Sequence, residues 1–204
     1  MNHIKITNLN IQFDDLKVLK NFNACFDTGV HWVQGFNGSG KISLLKSLCG
    51  IVPVNNNAVS ILGFDLKSQA LKAKSKLCFI PDKPDIYPFM TGMQFLELLA
   101  KIKGVKLSSE LFEFIDAINL TPFTDVAFGE MSFGTRRKFT LCSVFISNPQ
   151  VVLLDEPFNG LDKHTTEQFR LWLIEARKTK CVLVVSHDTH IIESISDSTI
   201  VLGS

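Results

Sequence analysis

The sequence carries almost no net charge. Its 21 lysine and arginine residues nearly balance 20 aspartate and glutamate residues, which leaves a formal charge of +1 at pH 7. Bulk electrostatics therefore give no reason to expect nucleic acid or an anionic membrane surface as a partner. No apolar run reaches the ~18 residues that a membrane-spanning helix needs, and no signal peptide is evident. We expect a protein without membrane-spanning segments.

Cysteine also shows little pattern. Its five residues are odd in number and have no C-x-x-C spacing: Cys25, Cys49, Cys78, Cys142 and Cys181. This spacing gives little support to a metal or redox site, and it predicts buried, reduced thiols in a cytosolic protein. Internal repeats and low-complexity linkers are missing too. A chain of 204 residues is long enough for a substantial core, so residues 1–204 are predicted to form a single domain.

The apolar pattern predicts an α/β fold. Residues 3–33 alternate in short runs, which predicts antiparallel strands with turns at Asp14-Asp15 and at residues 27–29. Further strands are predicted at residues 29–34, 58–63, 77–80, 150–154, 181–185 and 199–202, and helices at residues 42–50, 92–103, 110–119, 132–147, 162–178 and 189–196. Continuous apolar strands that alternate with helices indicate a parallel sheet covered on both faces. Residues from about 88 to 147 are predicted to be a helical insert.

A glycine-rich loop occupies residues 35–43, between a predicted strand and a predicted helix. This order is typical of a P-loop, so we predict a P-loop NTPase with a parallel sheet core, an N-terminal antiparallel β subdomain and the helical insert. Its expected phosphate contacts are Gly35, Phe36, Asn37, Gly38, Ser39, Gly40, Lys41, Ile42 and Ser43. Backbone N–H groups, the helix N-terminus and the Lys41 charge would all attract an anion. The alternative is a glycine-rich turn that binds nothing.

One loop position breaks the P-loop pattern. The lysine of such a loop is followed by Ser or Thr, whose hydroxyl group binds Mg²⁺. Here that position is Ile42, which has no oxygen to offer. The substitution bears directly on how much activity to expect.

Acidic residues follow a buried strand at residues 151–154. In open α/β sheets ligands lie at the carboxyl ends of the strands, so Asp155 and Glu156 are expected beside the loop. Asp155 could hold Mg²⁺, and Glu156 could orient or deprotonate an attacking water. His187 follows the strand at residues 181–185 and could reach a terminal phosphate or that water. The alternatives are an ordinary acidic pair and a histidine that caps a helix.

A second anion site is predicted near residue 132. Ser132 is a good N-cap for the helix that follows, and Gly134 leaves the first turn of that helix open. Residues 136–138 are all basic, which is unfavourable beside the positive end of a helix dipole. A nearby anion would explain them, whereas the simpler alternative is a capped helix with a basic first turn.

The order of these motifs resembles that of the nucleotide-binding subunit of ATP-binding-cassette (ABC) transporters over nearly the whole chain. Residues 35–43 are similar to the Walker A loop, residues 131–135 to the LSGGQ signature and residues 151–156 to Walker B. The resemblance extends to residues 159–162 as the D-loop and to residues 81–82 as the Q-loop. It also implies that His187 is the switch histidine and that Phe13 is the aromatic residue that stacks on adenine.

The resemblance implies an ATPase that uses ATP and Mg²⁺, with Glu156, His187 and Lys41 as its catalytic residues. Two ATP-binding subunits would pair head to tail, so that each ATP lies between the loop of one chain and Ser132 and Gly134 of the other. Closure and hydrolysis would drive a separate transmembrane transporter subunit. The chain would then be cytoplasmic and peripheral on the inner face of the cell membrane. The membrane partner would contact the helical insert and residues 82–84.

Three positions depart from the family pattern. Ile42 lacks the Mg²⁺-binding hydroxyl group, and Ser43 is no obvious substitute because its position faces the α-phosphate in the family. Asp82 stands where the family has the Q-loop glutamine, and we hypothesise that its carboxylate replaces part of the lost Mg²⁺ ligation. Phe133 replaces the first signature glycine. These changes bear on the rate of hydrolysis more than on the fold.

Three functions remain open from the sequence. The first is the ATPase subunit of an ABC transporter, favoured as an exporter by the short chain. The second is a soluble ABC-type ATPase that acts on ribosomes or in metal-cluster assembly, and the lack of basic extensions disfavours its ribosomal version. The third is a regulatory nucleotide-binding subunit with little turnover, which Ile42 motivates and which Glu156 and His187 argue against.

Overall fold

A computed structural model describes residues 2–14 and 16–203 of the chain. The strands are β1 (Ile4–Phe13), β2 (Leu16–Phe26), β3 (Gly29–Gly35), β4 (Val59–Ile61), β5 (Phe64–Asp65), β6 (Leu77–Ile80), β7 (Val151–Asp155), β8 (Cys181–Val185) and β9 (Ser198–Leu202). The helices are α1 (Lys41–Leu48), α2 (Ala70–Ser75), α3 (Gly92–Lys103), α4 (Ser109–Ala117), α5 (Phe133–Cys142), α6 (Lys163–Ala176) and α7 (Thr189–Ile195). Short 3₁₀ turns lie at Thr121–Phe123, Phe128–Glu130 and Ser143–Phe145.

The strands form two sheets. One is parallel in the order β6-β7-β8-β3-β9, and the other is antiparallel in the order β2-β1-β4-β5. In the parallel sheet Leu154 pairs with Ile80 on one side and Val184 on the other. The predicted combination of a parallel core and an N-terminal antiparallel unit is therefore confirmed.

The central strands β7 and β8 of the parallel sheet are buried on both faces. On β7, Val152 and Leu154 belong to a core shared with the helices of the 88–147 region and α6. Val151 and Leu153 point the other way, into a second core shared with α1 and the antiparallel sheet. Since successive side chains of a strand alternate between faces, an uninterrupted apolar run is what this two-sided burial requires.

Several expectations need correction. The pattern of residues 3–33 predicts antiparallel strands only, but β3 lies in the parallel sheet between β8 and β9. The helix predicted to reach residue 147 ends at Cys142, because the chain passes through a 3₁₀ turn and then adopts positive φ angles at Ser147 and Asn148. The short elements β5 and α2 were not predicted. Asp15, part of one predicted turn, lies outside the described residues.

The cysteines are all free, in agreement with the reduced thiols expected, but they are not all buried. Cys25 is exposed and Cys78 is half-buried, while the other three lie in the cores. Cys25 is on β2, which is an edge strand of the antiparallel sheet. Within residues 2–14 and 16–203, no helix has the length and apolar content needed to cross a bilayer.

We expect the two-layer core to carry the stability of the fold. Leu153 is fully buried on β7, whereas the side chain of Leu71 on α2 is 88% exposed. Leu153→Ala should lower the free energy of unfolding by about 2–5 kcal/mol, because it leaves a cavity between the layers. Leu71→Ala should change it by about 0.5 kcal/mol or less. Urea denaturation of both variants measures this difference, and equal losses would contradict the assigned burial.

Candidate active site

A cavity of about 790 Å³ lies at the carboxyl edge of the parallel sheet. Its lining brings together most of the sequence-predicted residues: Phe13, Asn37, Gly38, Gly40, Lys41, Ile42, Ser43, Asp82, Asp155, Glu156 and His187. Val18, Phe158, Asn159 and Ser186 also contribute to it. A cavity of this size is in the range that holds small-molecule ligands and cofactors.

The first turn of α1 is open toward an anion. Gly40 is the N-cap of this helix, and among the described residues no side chain caps it. Its φ of 97° is a conformation that glycine adopts readily, and a Cβ atom at this position would lie 2.7 Å from Val18 Cγ1. In contrast, α3, α4, α5, α6 and α7 each have a side chain that accepts from the first turn. The free N–H groups of α1 therefore remain available to phosphate oxygens.

Lys41 closes the loop that precedes α1. Its Nζ donates to the carbonyl oxygens of Gly35 at 2.7 Å and of Phe36 at 3.0 Å, and its side chain is almost buried. The ammonium group is thus held at the base of the loop, where its charge faces the cavity. Ser39 is buried behind the loop, and its Oγ has no hydrogen-bond partner among the described residues.

The aromatic residues of this region differ in position. Phe13, at the end of β1, is 46% exposed and lines the cavity, which leaves its ring face accessible. Phe36, in the loop itself, points away from the cavity lining toward Gly203. The structure therefore brings Phe13 to the site, while Phe36 contributes only its backbone.

The side chain of Asp155 is buried at the end of β7. Its Oδ2 accepts from the backbone N–H of Asp82 at 3.4 Å, and its Oδ1 is buried without a partner in the described chain. Burial raises the pKa of the Asp155 carboxyl group. Asp82 lies beside it, and its Oδ1 accepts from Asn159 Nδ2 at 2.9 Å. Two carboxylates that leave oxygen atoms free therefore meet at one point of the cavity.

These oxygen donors fit a Mg²⁺ ion that is held partly by its substrate. The described residues contain no group of three or more His, Cys, Asp or Glu side chains arranged to hold a metal by themselves. Mg²⁺ typically takes one or two carboxylates and completes its shell with water and phosphate oxygens. Ile42 reaches the cavity with 47% of its side chain exposed but supplies no oxygen. Asp155 and Asp82 are the residues that would hold the ion.

Glu156 lies next to Asp155 in a strained conformation. Its φ of 48° is unusual for a residue other than glycine, and such strain often occurs at functional sites. The N–H of His187 donates to Glu156 Oε2 at 3.1 Å, and His187 Nε2 lies 3.6 Å from Oε1. Burial raises the pKa of the Glu156 carboxyl group. A carboxylate with this pKa shift that faces an open cavity can accept a proton from water.

Ser132 and Gly134 lie outside this cavity. Ser132 Oγ accepts from the N–H of Thr135 at 3.1 Å, which confirms the predicted N-cap of α5. A Cβ atom at Gly134 would lie 2.7 Å from the carbonyl oxygen of Gly160, so only glycine allows this close approach. The N-terminus of α5 therefore does not reach the phosphate loop of its own chain.

Two of the three basic residues at 136–138 have acceptors within the described chain. Lys138 Nζ forms an ion pair with Asp162 at 2.7 Å. Arg137 is fully buried and donates to backbone carbonyl groups near Asp82 and Asp155. The sequence indicated that these charges needed acceptors, but nothing in it showed that Arg137 would reach the backbone beside Asp82 and Asp155. Sequence reasoning missed these contacts.

Comparison with known proteins agrees with this geometry. The family model described as ABC transporter matches residues 19–159. The uncharacterized ABC transporter ATP-binding protein YybJ of Bacillus subtilis is 26% identical over 196 residues, which cover 95% of this chain and 89% of that protein. The uncharacterized ABC transporter ATP-binding protein YdbJ of the same organism is 28% identical over 170 residues, which cover 82% of this chain and 55% of that protein. For the bacitracin transport ATP-binding protein BcrA of Enterococcus faecalis, the identity is 25% over 197 residues, with 95% and 64% covered. The chain thus spans between about half and nine tenths of these relatives.

Solved structures share the fold. A structure described as the ATP-binding subunit of an ABC transporter has a TM-score of 0.89 at 24% identity, covering 98% of this chain and 85% of that one. A dimeric bacterial ABC transporter cassette has a TM-score of 0.86 at 22% identity, with 98% and 94% covered. A putative ABC transporter ATP-binding protein from Pyrococcus furiosus has a TM-score of 0.77 at 23% identity, with 98% and 96% covered.

Replacement by asparagine should change the melting temperature in opposite directions at Asp155 and at Asp162. Burial raises the pKa of Asp155 above its ordinary 3.8, so the folded chain binds this proton more tightly, and the free energy of unfolding falls as the pH rises from 3.8 through the raised value. At neutral pH in EDTA, Asp155→Asn should therefore raise the melting temperature, because it removes a buried charge.

The matched control is Asp162→Asn. The hydrogen bond from Lys138 lowers the pKa of Asp162 from 3.8 to about 2, so its stabilising effect is present above pH 3.8 and is lost as the pH falls toward 2. This variant should lower the melting temperature at neutral pH, by a small amount because the side chain is 52% exposed. Thermal unfolding followed by circular dichroism measures both shifts. A loss of stability in Asp155→Asn would contradict the cost assigned to its burial.

Proposed function

The chain belongs to the ABC transporter family, and from this membership we propose that it is an ATP-binding subunit that hydrolyses ATP to drive a membrane-spanning transporter subunit. The family model matches more than half of the chain. The observation that carries the proposal is the single cavity edge at which the uncapped α1 helix, Lys41, Asp155 and Glu156 meet. A cation, free N–H groups and two acidic side chains are the parts that phosphoryl transfer from a nucleotide requires.

ATP would lie with its phosphates on the loop. The N–H groups of α1 and the Lys41 ammonium group would bind the phosphate oxygens, and the exposed ring of Phe13 would contact the adenine. Asp155 and Asp82 would hold Mg²⁺, which supplies charge neutralisation on the phosphates when it is bound. The carboxylates of Asp82, Asp155, Glu156 and Asp188 outnumber the one lysine in the cavity lining, so a nucleotide without a cation would meet a repulsive site.

Glu156 would act on the attacking water. Its raised pKa makes it a better proton acceptor than an exposed glutamate, and the His187 N–H fixes one of its oxygens. The His187 ring is 70% exposed, so it can reach a terminal phosphate or the water from the edge of the cavity. Hydrolysis would give ADP and phosphate, and one solved cassette with a TM-score of 0.85 is described as a post-hydrolysis state bound to both.

A second ATP-binding subunit would complete each site. The N-terminus of α5, with Ser132 and Gly134, lies outside the cavity of its own chain, and the Ser132 side chain caps the Thr135 N–H but not the N–H groups of Phe133 and Gly134. In a head-to-tail pair these groups would reach the phosphates on the loop of the other chain. A related cassette is described as dimeric. The partner could be a second copy of this chain or a similar subunit.

A separate membrane protein would dock beside the helical insert. A groove of about 420 Å³ runs between β6 and the insert, lined by apolar residues that include Ile86, Phe95 and Leu99. Lys74 and Lys103 line the same groove. This groove and the loop at residues 82–84 lie next to the carboxylates proposed to bind Mg²⁺. A membrane protein bound there would therefore respond to closure of the nucleotide site. The chain would then lie on the cytoplasmic side, peripheral to the cell membrane.

One observation favours a second function. Ile42 lines the cavity at the position where a hydroxyl group would bind Mg²⁺. If Asp82 does not compensate, the chain would bind nucleotide with little turnover and act as a regulatory subunit or in a soluble assembly. Glu156 and His187 are both in place at the cavity, which supports the active ATPase.

The first experiment is the Glu156→Gln variant. Loss of the proton acceptor should reduce the ATP turnover rate by about 10²-fold or more while ATP affinity stays within a few-fold. ATP should then accumulate in a closed dimer, which size-exclusion chromatography detects. Glu193→Gln changes an exposed glutamate on α7 and should leave turnover unchanged. Full turnover in Glu156→Gln would refute the assigned role, and negligible turnover in the unaltered chain would favour the regulatory function.

The second experiment measures ATP affinity with Mg²⁺ and with EDTA. Mg²⁺ should tighten ATP binding. Asp82→Ala should reduce the ratio of the ATP dissociation constants in EDTA and in Mg²⁺ about tenfold, because it deletes one of the two carboxylates proposed to bind the metal. Asp125→Ala, at an exposed position in the helical insert, is the matched control. If Mg²⁺ does not change the ATP affinity of the unaltered chain but does tighten ATP binding by Ile42→Thr, the metal site of the unaltered chain is impaired. That result would support the regulatory function. An unchanged Mg²⁺ effect in Asp82→Ala would exclude Asp82 as a ligand.

A further inference from the structure

Arg137 is unusual among the charged residues of the chain, because only 1% of it is exposed. Its guanidinium group donates to four backbone carbonyl oxygens. These belong to Asp82 at 3.2 Å, Asp155 at 2.8 Å, Glu156 at 2.7 Å, and Pro81. The planar guanidinium group presents its donors in a fixed fork, so the four acceptors are held in one arrangement.

The bonds of Arg137 begin where the sheet ends. The parallel ladder between β6 and β7 stops at the pair of Ile80 and Leu154. Beyond that pair β6 becomes a loop, while β7 continues to Asp155 and is paired there only with β8, so no ladder joins the two segments to each other. Arg137, from α5, bridges the residues that follow immediately on both strands. One side chain therefore continues the connection that backbone pairing no longer provides.

The two bridged segments carry the carboxylates assigned to Mg²⁺. Asp82 lies in the loop after β6 and Asp155 is the last residue of β7, and they are joined by the contact of 3.4 Å between the Asp82 N–H and Asp155 Oδ2. Within the described chain, no carboxylate oxygen accepts a hydrogen bond from Arg137. The three carboxylates of Asp82, Asp155 and Glu156 nevertheless face its charge, and burial lowers the pKa of Arg137 without discharging it. Arg137 thus offsets negative charge while it leaves the carboxylate oxygens free.

We propose that Arg137 is a positioning residue that sets the spacing of the Asp82 and Asp155 carboxylates and thereby the dependence of ATP binding on Mg²⁺. The inference rests on the proposed function, since it concerns the metal of that site. Arg137 itself does not line the cavity, so it acts through the loop after β6 and the end of β7 and not through contact with the nucleotide. Groups that orient metal ligands in this way commonly change metal affinity by about 10–100-fold when they are replaced.

Arg137→Met tests the proposal because methionine keeps the apolar stem and removes every donor. ATP affinity is measured by titration with EDTA and with Mg²⁺, and the ratio of the two dissociation constants gives the Mg²⁺ effect. In Arg137→Met this ratio should fall by about tenfold or more, while the affinity in EDTA stays within about threefold. Arg170→Met, at a surface arginine paired with Glu167, is the matched control and should keep the ratio of the unaltered chain.

Arg137→Lys separates geometry from charge and serves if Arg137→Met does not fold. Lysine keeps the charge but cannot span four carbonyl oxygens, so its Mg²⁺ effect should fall too. A lysine variant with the full Mg²⁺ effect would overturn the proposal. So would a folded methionine variant with a lower melting temperature and an unchanged ratio, because that result means a structural role only. If the unaltered chain shows no ATP binding or no Mg²⁺ effect, the proposed function itself fails.

Discussion

Parallel pairing of β7 with β6 and β8 is the constraint on which the rest of the site depends. Parallel strands all end at one edge of the sheet, so the backbone alone brings Asp155, Asp82 and His187 to the phosphate loop that follows β3. The alternating apolar side chains of β7 fix this arrangement from both faces. Stability therefore comes from the layers above and below the sheet, and the chemical groups occupy its edge.

The edge is electrostatically costly. Asp155 is buried and Glu156 is half-buried near Asp82, and burial raises the pKa of the Asp155 and Glu156 carboxyl groups. A protein that bound nothing there would be more stable without these charges. In the proposed function, a divalent cation bound with a polyphosphate would offset the cost, and the buried charge of Arg137 offsets part of it beforehand. Because Ile42 has no oxygen, more of the proposed Mg²⁺ binding would fall on the acidic residues.

Much of the fold could be predicted because its signals are local. The glycine spacing of the loop and the continuous apolar run of β8 lie within a few residues each. The failures involve partners that are distant in sequence. Nothing in the residues near β3 shows that it pairs with β8. Cys25 lies on β2, and the sequence does not show that its side of this strand is left exposed. The four acceptors of Arg137 lie 55 and 56 residues before it and 18 and 19 residues after it, and all are backbone oxygen atoms, which side-chain patterns do not reveal.

The position of Arg137 on α5 determines how a substitution in this helix would affect the two sites of a dimer. The helix begins beside Ser132, which would serve the nucleotide of the neighbouring subunit, and one turn later it holds the loops of its own site. In a homodimer, a substitution that tilts α5 would therefore disturb each composite site twice, once from each chain. A heterodimer with one altered chain would separate the two effects between its two sites. Paired subunits with unlike sequences could thus evolve unequal sites through changes in this one helix.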